Sequence, residues 1–247
     1  MRRHPSPYVS SYSFGPSRIS TALKALIGAN VAVFLIQFFV PVVTDVLGLR
    51  PIFVVRYFWI WQLGTYMFLH GGVFHLVFNM LALWMFGTDL EHGWGTRFFL
   101  KFYAVTGIGA GVLTVVFSLL PFAPAQQLLR ANVIGASGAI YGVLLAYALY
   151  FPDRQIYMYF VFPIPAKVFV AIIGGIAFLS SLGDSGGVAS ATHLGGLAVA
   201  YVFLKSARMH PFAEVKYRYL KWKINRVRKK FDVYSGGRAN DYDRRIH

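Results

Sequence analysis

Apolar residues run through this chain in six long blocks, separated by shorter polar or aromatic stretches. The blocks extend roughly from Thr21 to Val40, Val73 to Leu90, Phe98 to Leu120, Ala136 to Phe151, Val168 to Leu182, and Val188 to Leu204. Their length and hydrophobicity predict helices that cross a bilayer, for which about 20 residues are needed. The first stops at Pro41. The fourth and fifth are shorter than a full crossing. At about 1.5 Å per helical residue the fourth covers roughly 24 Å of a hydrocarbon core about 30 Å thick, so one of its ends lies inside the membrane. With Pro152 at one surface, Ser137 sits below the other. Non-helical backbone such as the Asn132 to Gly135 approach is tolerated at that depth only where protein or a water-filled cavity satisfies it, so a wet cavity leading to Ser137 is expected.

Composition agrees with that pattern. At 57% hydrophobic and 13% charged residues, 247 residues are too apolar for an ordinary soluble domain and describe an all-α polytopic membrane protein. The chain divides into a polar segment, 1–20, an apolar six-helix domain, 21–206, and a basic tail, 207–247. The first segment contains proline and lacks the apolar core and small-residue cleavage site of a signal peptide, so the first apolar block is expected to remain as an anchor. With no cysteine, disulfides, thiolate metal sites and thiol nucleophiles are excluded.

Charge gives the orientation. All 24 basic residues except Arg50, Arg56 and Arg130 fall in the amino terminus, the turns near Arg97/Lys101 and Arg154/Lys167, or the tail. The positive-inside bias therefore predicts both termini cytoplasmic and Ser137 opening toward the exterior, and the location expected for this multi-pass protein is the cell (inner) membrane. Between Pro41 and Gly72 lie Phe53, Tyr57, Phe58, Trp59, Trp61 and Tyr66, and such a segment is expected to lie partly in the interface as a re-entrant loop after the first helix.

The tail explains most of the +15 net charge. Leu220, Ile224, Val227 and Phe231 recur near helical spacing among Lys221, Lys223, Arg226, Arg228, Lys229 and Lys230. This is the pattern of a basic helix lying on anionic lipid. Nucleic acid is the competing partner for so many cations. A tail tethered beside a cytoplasmic leaflet already has a polyanion next to it, so membrane lipid is expected and nucleic acid is not.

Polar groups inside the apolar blocks are costly and tend to mark function. Gly135-Ala136-Ser137-Gly138 opens the fourth block, His70, His75 and Asn79 begin the second, and His193 lies in the sixth. A serine framed by glycines at a helix start points to an activated nucleophile. Gly138 and Gly142 present a small-residue face, and His193, Gly196 and Ala200 share one stripe on the sixth helix, with Gly195 beside them. Two such faces allow the close packing that a serine–histidine proton transfer requires, about 2.6–3.2 Å between heavy atoms. Taken alone, each face also fits plain helix packing, as Gly107 and Gly111 of the third block illustrate. His75 and Asn79, four apart, share a face, whereas His70 precedes Gly71-Gly72 and belongs to the loop or first turn. An Asn amide, an imidazole N–H and the Ser137 backbone N–H are suitable donors to an oxyanion, and the start of the fourth helix adds a partial positive charge. The rival reading is a zinc triad of His70, His75 and His193, but the HExxH arrangement is absent and Asn79 is a poor ligand.

Three motifs in order, His70-Gly-Gly-Val-Phe-His75-Leu-Val-Phe-Asn79, Gly135-Ala136-Ser137-Gly138 with Tyr141 one turn later, and Ala191-Thr192-His193-Leu194-Gly195-Gly196 followed by Ala200, resemble the signatures of the rhomboid intramembrane serine proteases. The resemblance covers the apolar core from about residue 20 to 206. It implies a six-helix bundle in which Ser137 is the nucleophile and His193 the base, with no acidic third member, no cofactor and no metal. It further implies an oxyanion hole from His75, Asn79 and the Ser137 N–H, Tyr141 stacked beside His193, and Glu91 as a structural glutamate. The substrates implied are transmembrane segments of other membrane proteins. One departure is visible: where the family usually has Trp-Arg nine residues before His70, Trp61 is followed here by Gln62, which bears on loop stability more than on chemistry. Inactive relatives lose the serine or carry proline before it, whereas this chain has Ser137 after Ala136. A rhomboid-like protein that binds membrane clients without cleaving them is the alternative.

Overall fold

The structure, a computed structural model, describes residues 18–209 apart from Phe122, 159–161 and 182–186. The expectations for the amino-terminal segment and for the amphipathic tail fall outside these residues. Two compact units divide the chain, residues 1–204 and 205–247, and the site described below lies in the first.

The described helices are α1 (Thr21–Phe39), α2 (Val42–Leu47), α3 (Pro51–Tyr57), α4 (Gln62–Thr65), α5 (Val73–Trp94), α6 (Thr96–Ser118), α7 (Ala123–Arg130), α8 (Ser137–Tyr150), α9 (Ala166–Ser181) and α10 (Gly187–Met209). A 3-10 turn, Tyr66–Phe68, follows α4. Between α8 and α9 lies an antiparallel hairpin of β1 (Gln155–Met158) and β2 (Phe162–Pro165), in register Gln155↔Pro165 and Ile156↔Ile164. Each of the six apolar blocks coincides over most of its length with one of the long helices α1, α5, α6, α8, α9 and α10. Among the described residues α1, α5 and α6 are long and apolar enough to cross a membrane, and α8 and α9 are apolar but shorter.

Local chemistry sets the helix ends. The Ser20 hydroxyl accepts the Leu23 N–H at 3.0 Å and caps α1, which ends at Phe39 because Val40, the residue before Pro41, is pushed out of helical backbone by the following ring. Helix α5 runs four residues past Leu90, because the helix-breaking geometry comes only at Gly95, whose φ of 81° suits glycine. The acidic end of α5 is accommodated rather than solvated. Glu91, 3% exposed, accepts hydrogen bonds from the Ser20 hydroxyl at 2.5 Å and the Thr96 hydroxyl at 2.7 Å, joining the starts of α1 and α6 to the end of α5.

Helix α8 is the centre of the bundle. It packs against α6, α5 and α9, and its Ala139, Val143 and Ala146 are fully buried. Helix α1 packs on α5 and leaves Leu35, Ile36, Phe38 and Phe39 exposed, an apolar surface that water would penalise and acyl chains accept. In lipid, apolar burial gives little drive for helices to associate, so small side chains and direct polar contacts carry the packing.

The segment between α1 and α5 is pinned rather than loose. Leu49 and Val133 exchange backbone hydrogen bonds at 2.9 and 2.8 Å, the Asn132 amide donates to the Thr44 carbonyl at 3.2 Å, and the Thr65 hydroxyl donates to the Leu47 carbonyl at 2.7 Å. Gln62, the departure from the family pattern, is fully buried. Its carbonyl accepts the Arg50 N–H at 3.1 Å and its amide donates to the Val46 carbonyl at 3.2 Å, so this side chain closes the turn between α2 and α3 without a positive charge.

Candidate active site

Ser137 is the first residue of α8, and the chain reaches it through backbone that only glycine tolerates. Gly135 has φ of 127°, and a Cβ there would lie 2.8 Å from His75 Cε1 and 2.9 Å from its Nε2. Its N–H donates to the Tyr66 carbonyl at 3.0 Å. Tyr66 itself is fully buried and donates its hydroxyl to the Gly107 carbonyl at 2.7 Å. Burial, with Tyr103 nearby, pushes the Tyr66 phenol well above its usual range, so it stays a donor. Because Ser137 opens a helix, its N–H has no intrahelical acceptor and remains available to a ligand.

His193, on α10, places Nε2 2.8 Å from Ser137 Oγ. The Tyr141 ring, one turn along α8, stacks on the imidazole with centroids 4.1 Å apart and planes 6° from parallel. The small residues permit this approach. A Cβ at Gly196 would overlap the Gly138 carbonyl, one at Gly142 would overlap Thr106 Cγ2 and come within 3.1 Å of Ala200 Cβ, and one at Gly138 would meet Tyr66 Oη at 3.0 Å. A hydrogen bond of 2.9 Å between the Thr114 and Thr192 hydroxyls ties α6 to α10 next to His193.

His75 joins the serine and histidine around one cavity, whereas Asn79 and His70 are not among the residues that line it. Tyr66, His75, Asn132, Ser137, Thr192 and His193 line a cavity of about 240 Å³, together with Val133, Ile134 and Gly135. Asn79, 6% exposed, donates one amide hydrogen to the His75 carbonyl at 2.7 Å and is not among the lining residues; its second amide hydrogen is uncommitted in that bond. His70, 2% exposed, lies edge-on to His75 with ring centroids 5.1 Å apart. Burial, and then repulsion from His75, lowers its pKa to about 4, against a smaller upward pull from the Phe68 backbone, so it is neutral. No group of three or more His, Asp or Glu side chains among the described residues is placed to hold a metal ion.

Tyr66, Thr192 and Asn132 are lining residues that sequence reasoning did not single out as site residues. Tyr66 acts through a backbone carbonyl and a long-range hydroxyl contact, neither of which leaves a local sequence signal. Thr192 precedes His193 directly, and that adjacency was a usable one.

Comparison with known proteins matches the Rhomboid domain family model to residues 57–208, more than half of the chain. The chain belongs to the rhomboid family. Relatives include "Rhomboid protein 1, mitochondrial" of Saccharomyces cerevisiae, 33% identical over 139 residues that make up 55% of this chain and 38% of the yeast protein. "Rhomboid protease GluP" of Bacillus subtilis is 37% identical over 142 residues, 56% of this chain and 24% of that protein. "Rhomboid protease AarA" of Providencia stuartii is 27% identical over 169 residues, 58% of this chain and 57% of that protein. The matched stretch thus spans less than two thirds of each relative's length. Family and apolar helices together make the chain a multi-pass membrane protein.

Proposed function

We propose that this rhomboid is an intramembrane serine endopeptidase that hydrolyses a peptide bond in or near a transmembrane segment of another membrane protein. The observation that carries the reading is the 2.8 Å contact between His193 Nε2 and Ser137 Oγ on the wall of a cavity. His193 removes the Ser137 proton as Oγ attacks the scissile carbonyl carbon, giving a tetrahedral oxyanion. His75, Asn79 and the free Ser137 N–H are the donors to that oxyanion, supported by the dipole of α8. His193 then gives its proton to the leaving amine, and water, deprotonated by the same imidazole, hydrolyses the acyl-enzyme. Tyr141 holds the imidazole plane through both steps. Gly135, Gly138, Gly142 and Gly196 let the parts approach, and His70 backs His75.

On this reading α1, α5, α6, α8, α9 and α10 all cross the membrane, with residues 21–206 as the protease domain, the segment from α2 to α4 at the outer interface and both termini cytoplasmic. The 14 residues of α8 span roughly 21 Å of a core about 30 Å thick, so Ser137 lies beneath the outer surface and the cavity supplies its water. The basic tail binds anionic lipid of the cell membrane. Purified full-length protein incubated with a single-span reporter tests the function. Cleavage by the parent and none by Ser137→Ala is the expected result, and equal cleavage by both overturns it. A parent that binds the reporter in micelles without cutting it indicates a client-binding rhomboid instead.

A further inference from the structure

The oxyanion donor His75 is oriented by a chain of contacts that begins on a different helix. Gln37, in the last turns of α1, accepts the His70 N–H on Oε1 at 2.9 Å. Its amide nitrogen donates to the Thr44 hydroxyl at 2.9 Å and lies 3.5 Å from the His70 carbonyl. One amide therefore grips the His70 backbone and is itself held by Thr44. The next residue, Gly71, donates its N–H to His75 Nδ1 at 3.3 Å. That bond has a chemical consequence. A neutral imidazole carries one proton, and a ring nitrogen that accepts a hydrogen bond cannot hold it, so the proton of His75 is on Nε2. Nε2 is the atom on the Gly135 and Ser137 side: it lies 2.9 Å from a point at which Ser137 Oγ is 3.6 Å away.

Among the described residues Gln37 is the side-chain hydrogen-bond partner of the His70 backbone, and the buried His70 ring adds its edge-on contact with His75. Gly71 and Gly72 leave the backbone between His70 and α5 with wide conformational freedom, and Gly72 provides no side-chain cap for the helix. Without a restraint upstream, the Gly71 N–H would not stay on Nδ1 and both neutral tautomers would be populated, one of them presenting a lone pair to the oxyanion. We propose that Gln37 is a positioning residue, which by clamping the His70 backbone holds the Gly71 N–H on His75 Nδ1 and so keeps His75 Nε2 protonated and directed at the developing oxyanion. The inference rests on the protease reading and adds to it a determinant on α1, outside the three motifs and outside the matched family region.

The test uses full-length protein with 15N-labelled histidine in micelles, reading the His75 tautomer from its ring nitrogen resonances, assigned by their loss in His75→Ala. The parent shows the Nε2-protonated form. Gln37→Leu, close in size but unable to hydrogen-bond, shows a mixture, and Thr44→Val moves the same way by less. In reporter cleavage Gln37→Leu lowers kcat about tenfold or more with KM changed by less than about threefold, because a misdirected donor is missed only as charge develops. Gln37→Glu keeps the acceptor for the His70 N–H but loses the amide donor, so its tautomer mixture and its kcat fall between those of the parent and Gln37→Leu. In the His75→Ala background Gln37→Leu has no further effect, as expected if it acts through that ring. An unmoved tautomer in both Gln37→Leu and Thr44→Val, or losses that add in the double variant, overturns the proposal. A tautomer that responds to Gln37 in a protein that cleaves no reporter keeps the clamp and removes the protease reading beneath it.

Discussion

Gly196 of α10 meets the carbonyl of Gly138 on α8 so closely that a Cβ at residue 196 has no room. The contact lies beside the Ser137 and His193 pair, and it sets the separation of the two helices that carry them. Gly196→Ala should force α8 and α10 apart. Overpacking of this kind costs about 1–3 kcal/mol in stability, and a displacement near 1 Å at reacting groups can cost about 100-fold in rate. Reporter cleavage should therefore fall about 100-fold, with a lower unfolding midpoint in micelles. Gly175→Ala is the control, since nothing lies within 4 Å of a Cβ there, and it should match the parent. Parent-like cleavage by Gly196→Ala would remove backbone contact as the determinant of the site.

His70 gives the structure a pH dependence of known sign. Its pKa is lowered to about 4 in the fold, against about 6.5 in an unfolded chain. Between those values the unfolded chain binds the proton first, so the stability that His70 contributes as a neutral ring is complete above about pH 6.5 and is lost as pH falls toward 4. Unfolding midpoints measured from pH 8 to pH 5 should decline in the parent and decline less in His70→Phe. Parallel declines in the two proteins would assign the acid sensitivity elsewhere.

The parts of the site that the sequence makes legible are those carried by periodicity within one segment. His193, Gly196 and Ala200 fall on one helical stripe and Gly138 and Gly142 on another, so the approach of α8 to α10 can be read from spacing alone. Tyr66, Val133 and Gln37 cannot be read this way, because each contributes a contact to a partner 33 or more residues distant or acts through its backbone. The β1–β2 hairpin is hidden for a different reason. Pro163 and Pro165 argue against a strand unless it lies at a sheet edge, which is where a two-stranded hairpin puts every residue. Helix α5 outruns its apolar block because helix length follows backbone hydrogen bonding to Gly95, whereas hydropathy registers only the change to acidic residues at Asp89 and Glu91.

Asn79 should prove to be a donor of second rank. One of its amide hydrogens is already on the His75 carbonyl, leaving one for the oxyanion. Loss of a preorganised donor typically costs about 10²–10³ in kcat, and His75 and the Ser137 N–H share the charge here, so Asn79→Ala should fall near about 100-fold or below. KM should change less than kcat. A raised KM at unchanged kcat would place Asn79 in substrate binding.

Ser137 and His193 should behave as one unit. A serine hydroxyl is a weak nucleophile until a base takes its proton, and the fourth and sixth apolar blocks contain no Asp or Glu that could do so. His193 Nε2 already lies at hydrogen-bond distance from Oγ, whereas His75 Nε2 faces Gly135. Ser137→Ala and His193→Ala should each abolish cleavage, and the double variant should be no worse than either. A serine-directed fluorophosphonate should label the parent at Ser137, with labelling lost or strongly slowed in His193→Ala. Tyr141→Ala removes a stacked ring worth about 0.5–1.5 kcal/mol, so it should retain the reaction at a rate lower by up to about tenfold. Additive losses in the double variant, or undiminished labelling of His193→Ala, would assign proton removal to a group other than His193.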